Sequence, residues 1–132
     1  WREAMKILLD THTLLWWDSE PEKLGPTVSG VLSNTENSVF ISVVSAWEIQ
    51  IKKQLGKLSL SVPLAELIES QQQVNEVQIL PVQLNHVLAL DELPAHHKDP
   101  FDRLLIAQAR AEGLKIASAD PVFSKYDVDV IW

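Results

Sequence analysis

The sequence predicts a single α/β domain in which a central parallel sheet of four or five strands carries helices on both faces. Short apolar segments, which suit buried strands, alternate along the chain with segments whose apolar residues recur at helical spacing. Strands separated by helices in this way pair in parallel, because each helix returns the chain to the same edge of the sheet. The length of 132 residues suits one hydrophobic core and is too short for two.

The first half of the chain supplies two predicted strand–helix pairs. The apolar segment Lys6–Leu9 has the length of a buried strand and stops at Asp10, and Pro21 breaks the helical pattern that follows it. Residues 39–41 form a second apolar strand. The helix after them is expected to end at Gly56, because glycine commonly follows the last turn of a helix.

The middle of the chain continues the alternation. Pro63 opens another helical pattern, and residues 77–80 are the third predicted strand. Leu84, Val87 and Leu88 then share one face of a short helix.

The C-terminal third contains the clearest helix, Pro100–Glu112, whose apolar positions repeat at helical spacing up to a stop at Gly113. Residues 114–117 and 128–131 complete the set of predicted strands. No internal repeat or low-complexity segment interrupts the pattern.

Composition narrows the possible functions. The formal net charge of −7 argues against a protein that binds nucleic acid through bulk positive charge, but it permits an enzyme that meets a phosphate backbone through a metal ion. No apolar run approaches the roughly 20 residues that cross a bilayer. The absence of cysteine excludes disulfides and thiolate metal sites and fits a cytoplasmic protein. Residues 5–132 are expected to form the domain, and residues 1–4 to be an upstream extension or a cloning remnant.

Four carboxylates fall where strands end and helices begin. Asp10 ends the first strand, Glu48 lies early in the helix after the second, Asp102 lies in the first turn of the helix from Pro100, and Asp120 follows the fourth strand. In open parallel sheets, ligands bind beyond the carboxyl ends of the strands. Four acids at one edge would repel each other unless a cation relieved them, and oxygen ligands favour Mg²⁺ or Mn²⁺ over Zn²⁺.

Each of these acids also has a purely structural interpretation. Residues 45–48 match the capping box S-x-x-E, in which Glu48 reaches back to a backbone N–H. Asp10 and Asp120 could be helix N-caps, and Asp102 could complement a helix dipole. Asp99, directly before Pro100, is interpreted first as an N-cap.

Histidines and tryptophans near these acids are weaker candidates. His96 and His97 lie beside Asp99, but adjacent histidines cannot share one helical face, so flexible loop residues are the favoured interpretation. A packed or solvent-facing side chain is likewise favoured for His12, which could otherwise donate near the site. Three tryptophans near the acids could stack bases, namely Trp16, Trp17 and Trp47. Core or interface positions are favoured for all three.

The segments around the four acids resemble the sequence motifs of a known protein family. The chain opens with KILLDTHTLLWW around Asp10 and continues with ISVVSAWEI around Glu48, HHKDPFDRLLIAQA around Asp102 and SADPVF around Asp120. In this order and spacing they resemble the PIN-domain family, specifically the VapC-type toxins of bacterial toxin–antitoxin pairs, from Met5 to the end of the chain. Ser118 stands where the family's last motif usually has threonine, and it keeps the hydroxyl.

The resemblance implies a metal-dependent endoribonuclease. Asp10, Asp102 and Asp120 would hold Mg²⁺ or Mn²⁺, and Glu48 would be a further ligand or would orient the attacking water. Such an ion makes hydroxide more available and neutralises charge in an in-line displacement. It would also allow an acidic cleft to receive RNA.

Supporting roles follow from the same resemblance. Thr11 and Ser118 would hold the carboxylates through hydrogen bonds, and Asp99 would lie at the margin of the site. Arg103 would contact a phosphate, or would simply be a charge on the helix surface.

The resemblance also implies two protein partners, a second copy of the chain and an antitoxin that presents an apolar helix and an arginine. Leu14, Leu15 and the tryptophans crowd an early helix, and Leu64, Leu67 and Ile68 follow a later one, so an exposed apolar patch is expected there. The main rival function is a catalytically silent PIN-like interaction module. A phosphotransfer receiver domain is a third possibility, but Asp10-Thr11 does not supply the paired acids that such a domain needs.

Overall fold

A computed structural model describes residues 4–132. Residues 1–3, most of the predicted upstream segment 1–4, lie outside the described residues. The strands are β1 (Lys6–Leu9), β2 (Ser38–Ser42), β3 (Gln78–Leu80), β4 (Lys115–Ala117) and β5 (Val130–Ile131). The helices are α1 (Thr11–Ser19), α2 (Pro26–Ser33), α3 (Val43–Gln54), α4 (Leu64–Asn75), α5 (Leu84–Leu88) and α6 (Pro100–Glu112). Short 3₁₀ helices cover Pro21–Lys23, Ala89–Glu92 and Pro121–Lys125.

All five strands pair in parallel, in the order β3-β2-β1-β4-β5. The predicted fold class is therefore confirmed. Leu8 of β1 lies opposite Phe40 of β2 on one side and Ile116 of β4 on the other. The chain builds outward from β1 in one direction and later returns to its other side, so β1 and β4 flank a topological switch point. Crevices at such points are where open α/β sheets bind ligands.

The central strand is buried on both faces. Leu8 packs into an apolar cluster with Leu105 and Ile106 of α6, whereas its neighbours Ile7 and Leu9 pack into a second cluster on the other face. Because side chains alternate along a strand, this division places α5 and α6 on one face and α1, α2 and α4 on the other. Because α1 begins just after β1 and α3 directly after β2, the first turns of these two helices lie at the carboxyl edge of the sheet.

The sequence pattern overlooked one helix, α2. Pro26 occupies its first turn, where proline is favoured, so the dipeptide Gly25-Pro26 was the available signal. Gly25 is required for a different reason. A Cβ built on it would lie 2.3 Å from the carbonyl oxygen of Trp132, so only glycine allows the C-terminal residue to pack there.

The exposed apolar patch does not lie where the sequence placed it. Leu14 and Leu67 are core residues, and Trp16 and Trp17 are half-buried, because α1 and α4 pack on the same face of the sheet. The exposed apolar side chains lie mainly on α3 and α5 instead: Val43, Trp47, Leu55, Leu84, Val87 and Leu88. The shared face predicted for α5 therefore points outward. Across residues 4–132, no helix has both the length and the apolar character needed to span a membrane.

Candidate active site

The four acids lie at the carboxyl edge of the sheet. Asp10 follows β1 directly, and Asp120 lies three residues after β4, the strand that pairs with β1. Glu48 projects from the second turn of α3, which begins where β2 ends, and Asp102 lies in the first turn of α6. Four elements that are distant in sequence therefore present carboxylates towards one region.

Asp10 is buried, with a relative exposure of 5%. Its Oδ1 accepts a hydrogen bond from the backbone N–H of Thr13 at 2.8 Å, so Asp10 is also the N-cap of α1. Burial raises the pKa of the Asp10 carboxyl, although hydrogen bonds from Ser118 and Thr13 oppose the shift. The ionised Asp10 carboxylate is therefore poorly solvated in the folded protein.

The Glu48 carboxylate is buried and held from two sides. Thr11 Oγ1 donates to Glu48 Oε1 at 2.7 Å, and Lys52 Nζ pairs with Oε2. The hydrogen bond with Glu48 raises the pKa of Lys52. The capping-box interpretation of Glu48 is wrong, because α3 begins three residues earlier than the motif implied and its N-cap is Ser42.

Asp102 is the acid whose protonation is most perturbed. Burial raises the pKa of Asp102 to about 6, and the charges of Asp99 and Glu48 act in the same direction. A hydrogen bond with His97, whose Nε2 lies 2.8 Å from Asp102 Oδ2, opposes the shift. In the metal-free protein this carboxyl therefore changes its protonation state near pH 6 instead of near 3.8.

One donor atom each from His97, Asp102 and Asp120 all lie within 4.8 Å of one another. His97 lies in a loop, as expected, but its side chain lies in this cluster. The sequence places His97 beside Asp99, but the argument that adjacent histidines cannot share one helical face discounted it. The available signal was its place five residues before Asp102, on the loop that leads into the N-terminus of α6.

A cleft of about 240 Å³ extends the cluster towards β1. It is lined by Asp10 and Asp120, together with His12, Trp16 and Ala119. Ser118 links the two acids, because its Oγ accepts from the backbone N–H of Asp120 at 3.0 Å and its side chain hydrogen-bonds Asp10. Asp10 and Asp120 thus face one solvent-accessible space.

Asp99 and Asp120 both cap helices. Asp99 Oδ1 accepts from the backbone N–H groups of Phe101 and Asp102, which confirms the N-cap interpretation of Asp99. Asp120 Oδ1 accepts from the N–H of Val122 at 3.0 Å. Capping engages Oδ1 alone and leaves the second oxygen of Asp120 for other contacts, so the structural and the metal-binding interpretations do not exclude each other.

Arg103 is not simply a charge on the helix surface, which was one of the two interpretations of this residue. Its guanidinium donates to the backbone carbonyl oxygens of four loop residues, at distances from 2.9 to 3.5 Å, and to the phenol oxygen of Tyr126. The carbonyls belong to Leu90, Leu93, Pro94 and His97. These five donor contacts make Arg103 a residue that fixes the loop before α6.

The donor set fits a divalent ion. Among residues 4–132, neither Asp10 nor Asp102 forms an ion pair with a lysine or arginine, and the pKa of each carboxyl is raised. A bound cation would supply the missing positive charge. Carboxylate oxygens are the ligands that Mg²⁺ and Mn²⁺ take in proteins.

Two comparisons by sequence give consistent matches. The family model described as PIN domain matches residues 7–129. Ribonuclease VapC22 from Mycobacterium tuberculosis is 27% identical over 115 residues, which is 86% of this chain and 86% of that protein.

Solved structures share the fold at lower identity. VapBC2 from Rickettsia felis, bound to a DNA fragment from its promoter, aligns with a TM-score of 0.70 and 14% identity over 96% of this chain and 98% of that one. FitAcB from Neisseria gonorrhoeae aligns with a TM-score of 0.63 and 20% identity over 96% of each chain. DNA-bound VapBC from Salmonella typhimurium aligns with a TM-score of 0.69 and 14% identity over 96% of this chain and 97% of that chain.

Proposed function

This chain belongs to the PIN domain family, and from that premise we propose that it is a divalent-metal-dependent endoribonuclease, the toxin of a VapBC-type toxin–antitoxin pair that acts in the cytoplasm. The observation that carries the proposal is the convergence of Asp10, Glu48, Asp102 and Asp120 at one edge of the sheet, with carboxyl pKa values raised at Asp10 and Asp102. The similarity to a mycobacterial ribonuclease supports RNA as the substrate.

The surroundings of each acid indicate its role in the reaction. Asp10, Asp102 and Asp120 would hold Mg²⁺ or Mn²⁺, because they line the cleft and its neighbouring cluster. When bound, such an ion neutralises phosphate charge and makes hydroxide available for an in-line displacement. Both Glu48 oxygens already accept hydrogen bonds from Thr11 and Lys52, so we assign Glu48 to orienting the attacking water rather than to direct ligation.

The direct test is cleavage of RNA by purified, partner-free protein. We expect endonucleolytic products in the presence of Mg²⁺ or Mn²⁺, no products in EDTA, and recovery when the ion is added back. Gel analysis of a uniformly labelled RNA measures all three. A protein that binds the ion and yet leaves RNA intact under every condition would be the catalytically silent interaction module instead.

The partner expected for such a toxin is an antitoxin, and the site has a suitable approach. A groove beside α1 is lined in part by Leu15, Leu58 and Leu60, and His12 and Trp16 line both this groove and the acidic cleft. An amphipathic helix in the groove would therefore lie next to the carboxylates. An arginine presented from it would pair with them and exclude the metal ion. The VapBC and FitAcB structures share this fold, which supports such a partner.

We also propose that the chain forms a homodimer through α3 and α5. Both helices pack against α6, and they expose Trp47, Leu84 and Leu88 at 57%, 72% and 62%. Large exposed apolar side chains on two helices that pack against a common third helix are candidates for a protein interface. A twofold interface is self-complementary, so one patch on each copy suffices.

Sedimentation equilibrium at micromolar concentration should therefore report a dimer. Leu88→Glu should shift the equilibrium to monomer, because it places two carboxylates against an apolar surface across the twofold axis. Val74→Glu is the matched control: Val74 is exposed even more than Leu88, at 74% against 62%, but lies at the end of α4. Equal dissociation by both variants, or a wild-type monomer, would exclude this interface.

A further inference from the structure

We propose that His97 is itself a ligand of the divalent ion, and that its nitrogen makes this centre prefer Mn²⁺ and later transition ions to Mg²⁺. The inference rests on the proposed function, because it concerns the same site. It adds a nitrogen donor to a centre that the sequence presented as composed of oxygen ligands.

Distances allow the coordination. The donor atoms of His97, Asp102 and Asp120 lie within 4.8 Å of one another. An ion about 2.1 Å from each of its ligands holds any two of them within about 4.2 Å. Small side-chain rotations therefore close the set around one ion, with His97 Nε2 already aimed at Asp102 Oδ2 across 2.8 Å.

His97 is also held in place from both sides, as a ligand needs to be. Its backbone N–H donates to the phenol oxygen of Tyr126 at 2.8 Å, and its carbonyl accepts from Arg103 at 3.4 Å. Its imidazole packs edge-on against Phe123, with the ring centroids 6.3 Å apart. The loop therefore presents a fixed imidazole to the acids, and preorganised ligands bind metals more tightly than mobile ones.

The chemistry of the donor predicts the choice of ion. Mg²⁺ prefers carboxylates and water and gains little from imidazole, whereas imidazole suits transition ions, whose affinity for a given site rises from Mn²⁺ towards Cu²⁺. One nitrogen ligand among carboxylates thus strengthens Mn²⁺ binding more than Mg²⁺ binding. If His97 only oriented Asp102 through the hydrogen bond, loss of that hydrogen bond would weaken the binding of the two ions equally.

The test uses Mn²⁺ as a spectroscopic probe on the full chain. Electron spin echo modulation of the bound ion detects a directly coordinated ¹⁴N, and Mn²⁺ titration with Mg²⁺ competition measures both affinities. The informative variant is His97→Gln, whose amide can still donate to Asp102 but has no imidazole nitrogen. His96→Gln is the matched control, because the neighbouring His96 packs edge-on against Tyr126 and lies outside the cluster. His97→Asn is a second variant in case the first does not fold.

We expect ¹⁴N modulation in the wild type and in His96→Gln, and its loss in His97→Gln. The Mn²⁺ affinity of His97→Gln should fall about tenfold or more, with less than about a threefold change for Mg²⁺. Modulation that persists in His97→Gln but disappears in His12→Gln would assign the nitrogen to the histidine of the cleft and overturn the inference. A wild type that cleaves RNA with Mn²⁺ but shows no ¹⁴N coupling would overturn this inference alone, whereas a wild type that binds no divalent ion would overturn the proposed function as well.

Discussion

Asp10→Asn is expected to reduce metal-dependent RNA cleavage by at least about 10³-fold while leaving the fold intact. A ligand's negative charge contributes several kcal/mol through the ion it holds, and about 4 kcal/mol corresponds to a factor of about 10³ in rate. The fold is preserved because asparagine caps helices as well as aspartate does. Its amide oxygen can accept the Thr13 N–H that Asp10 Oδ1 now accepts.

The measurement is initial cleavage rate under saturating Mg²⁺, together with thermal unfolding to verify the fold. Asp127→Asn is the control: it makes the same chemical change on an exposed side chain beside the amino ends of β1 and β4, at the opposite edge of the sheet. Asp127→Asn should cleave at the wild-type rate. If a folded Asp10→Asn retained more than a tenth of the activity, Asp10 would have no essential part in the reaction.

Asp102→Asn should abolish cleavage. The same substitution should stabilise the metal-free protein at pH 7.5 by about 2 to 3 kcal/mol. The size follows from the pKa shift, because each tenfold change in an acid dissociation constant corresponds to about 1.4 kcal/mol. Burial raises the pKa of Asp102 from 3.8 to about 6, so the ionised carboxyl is costly in the folded state at neutral pH. Asparagine is close in shape to the protonated acid and does not carry the charge.

The sign of the pH dependence follows from the raised pKa. Stability from protonated Asp102 is fully present below the unfolded-state value of 3.8 and is lost as the pH rises through about 6. The advantage of Asp102→Asn over wild type should therefore be largest above pH 7 and should nearly disappear by about pH 4. Urea unfolding of both proteins in EDTA across this range measures it. An advantage that is independent of pH would show that packing, rather than charge, distinguishes the two proteins.

Saturating Mg²⁺ should reverse the order of stabilities. The ion binds only the folded wild type, so it stabilises that protein by mass action, whereas Asp102→Asn has lost a ligand and should respond little. The acids of this site thus lower the stability of the metal-free protein, as expected of residues whose charge is needed for function.

The local pattern of the sequence determined the five strands, all the α-helices except α2, and the edge at which the acids lie. Apolar spacing reports which side of a segment is buried, and capping residues mark helix ends, so the strand before Asp10 and the helix from Pro100 could be predicted with their boundaries. A parallel sheet followed from the alternation, and with it the expectation that residues after strands share one edge.

Only the tertiary structure decided which side chains meet. Strand order depends on long-range pairing, so the contact of β1 with β4 that brings Asp10 beside Asp120 could not be read from spacing. The loop before α6 has no period, and its shape is imposed by Arg103 and Tyr126, which place His97 against Asp102. Periodicity indicates which face of a strand or helix is buried. Which side chains share a site depends instead on packing between segments that are far apart in the chain.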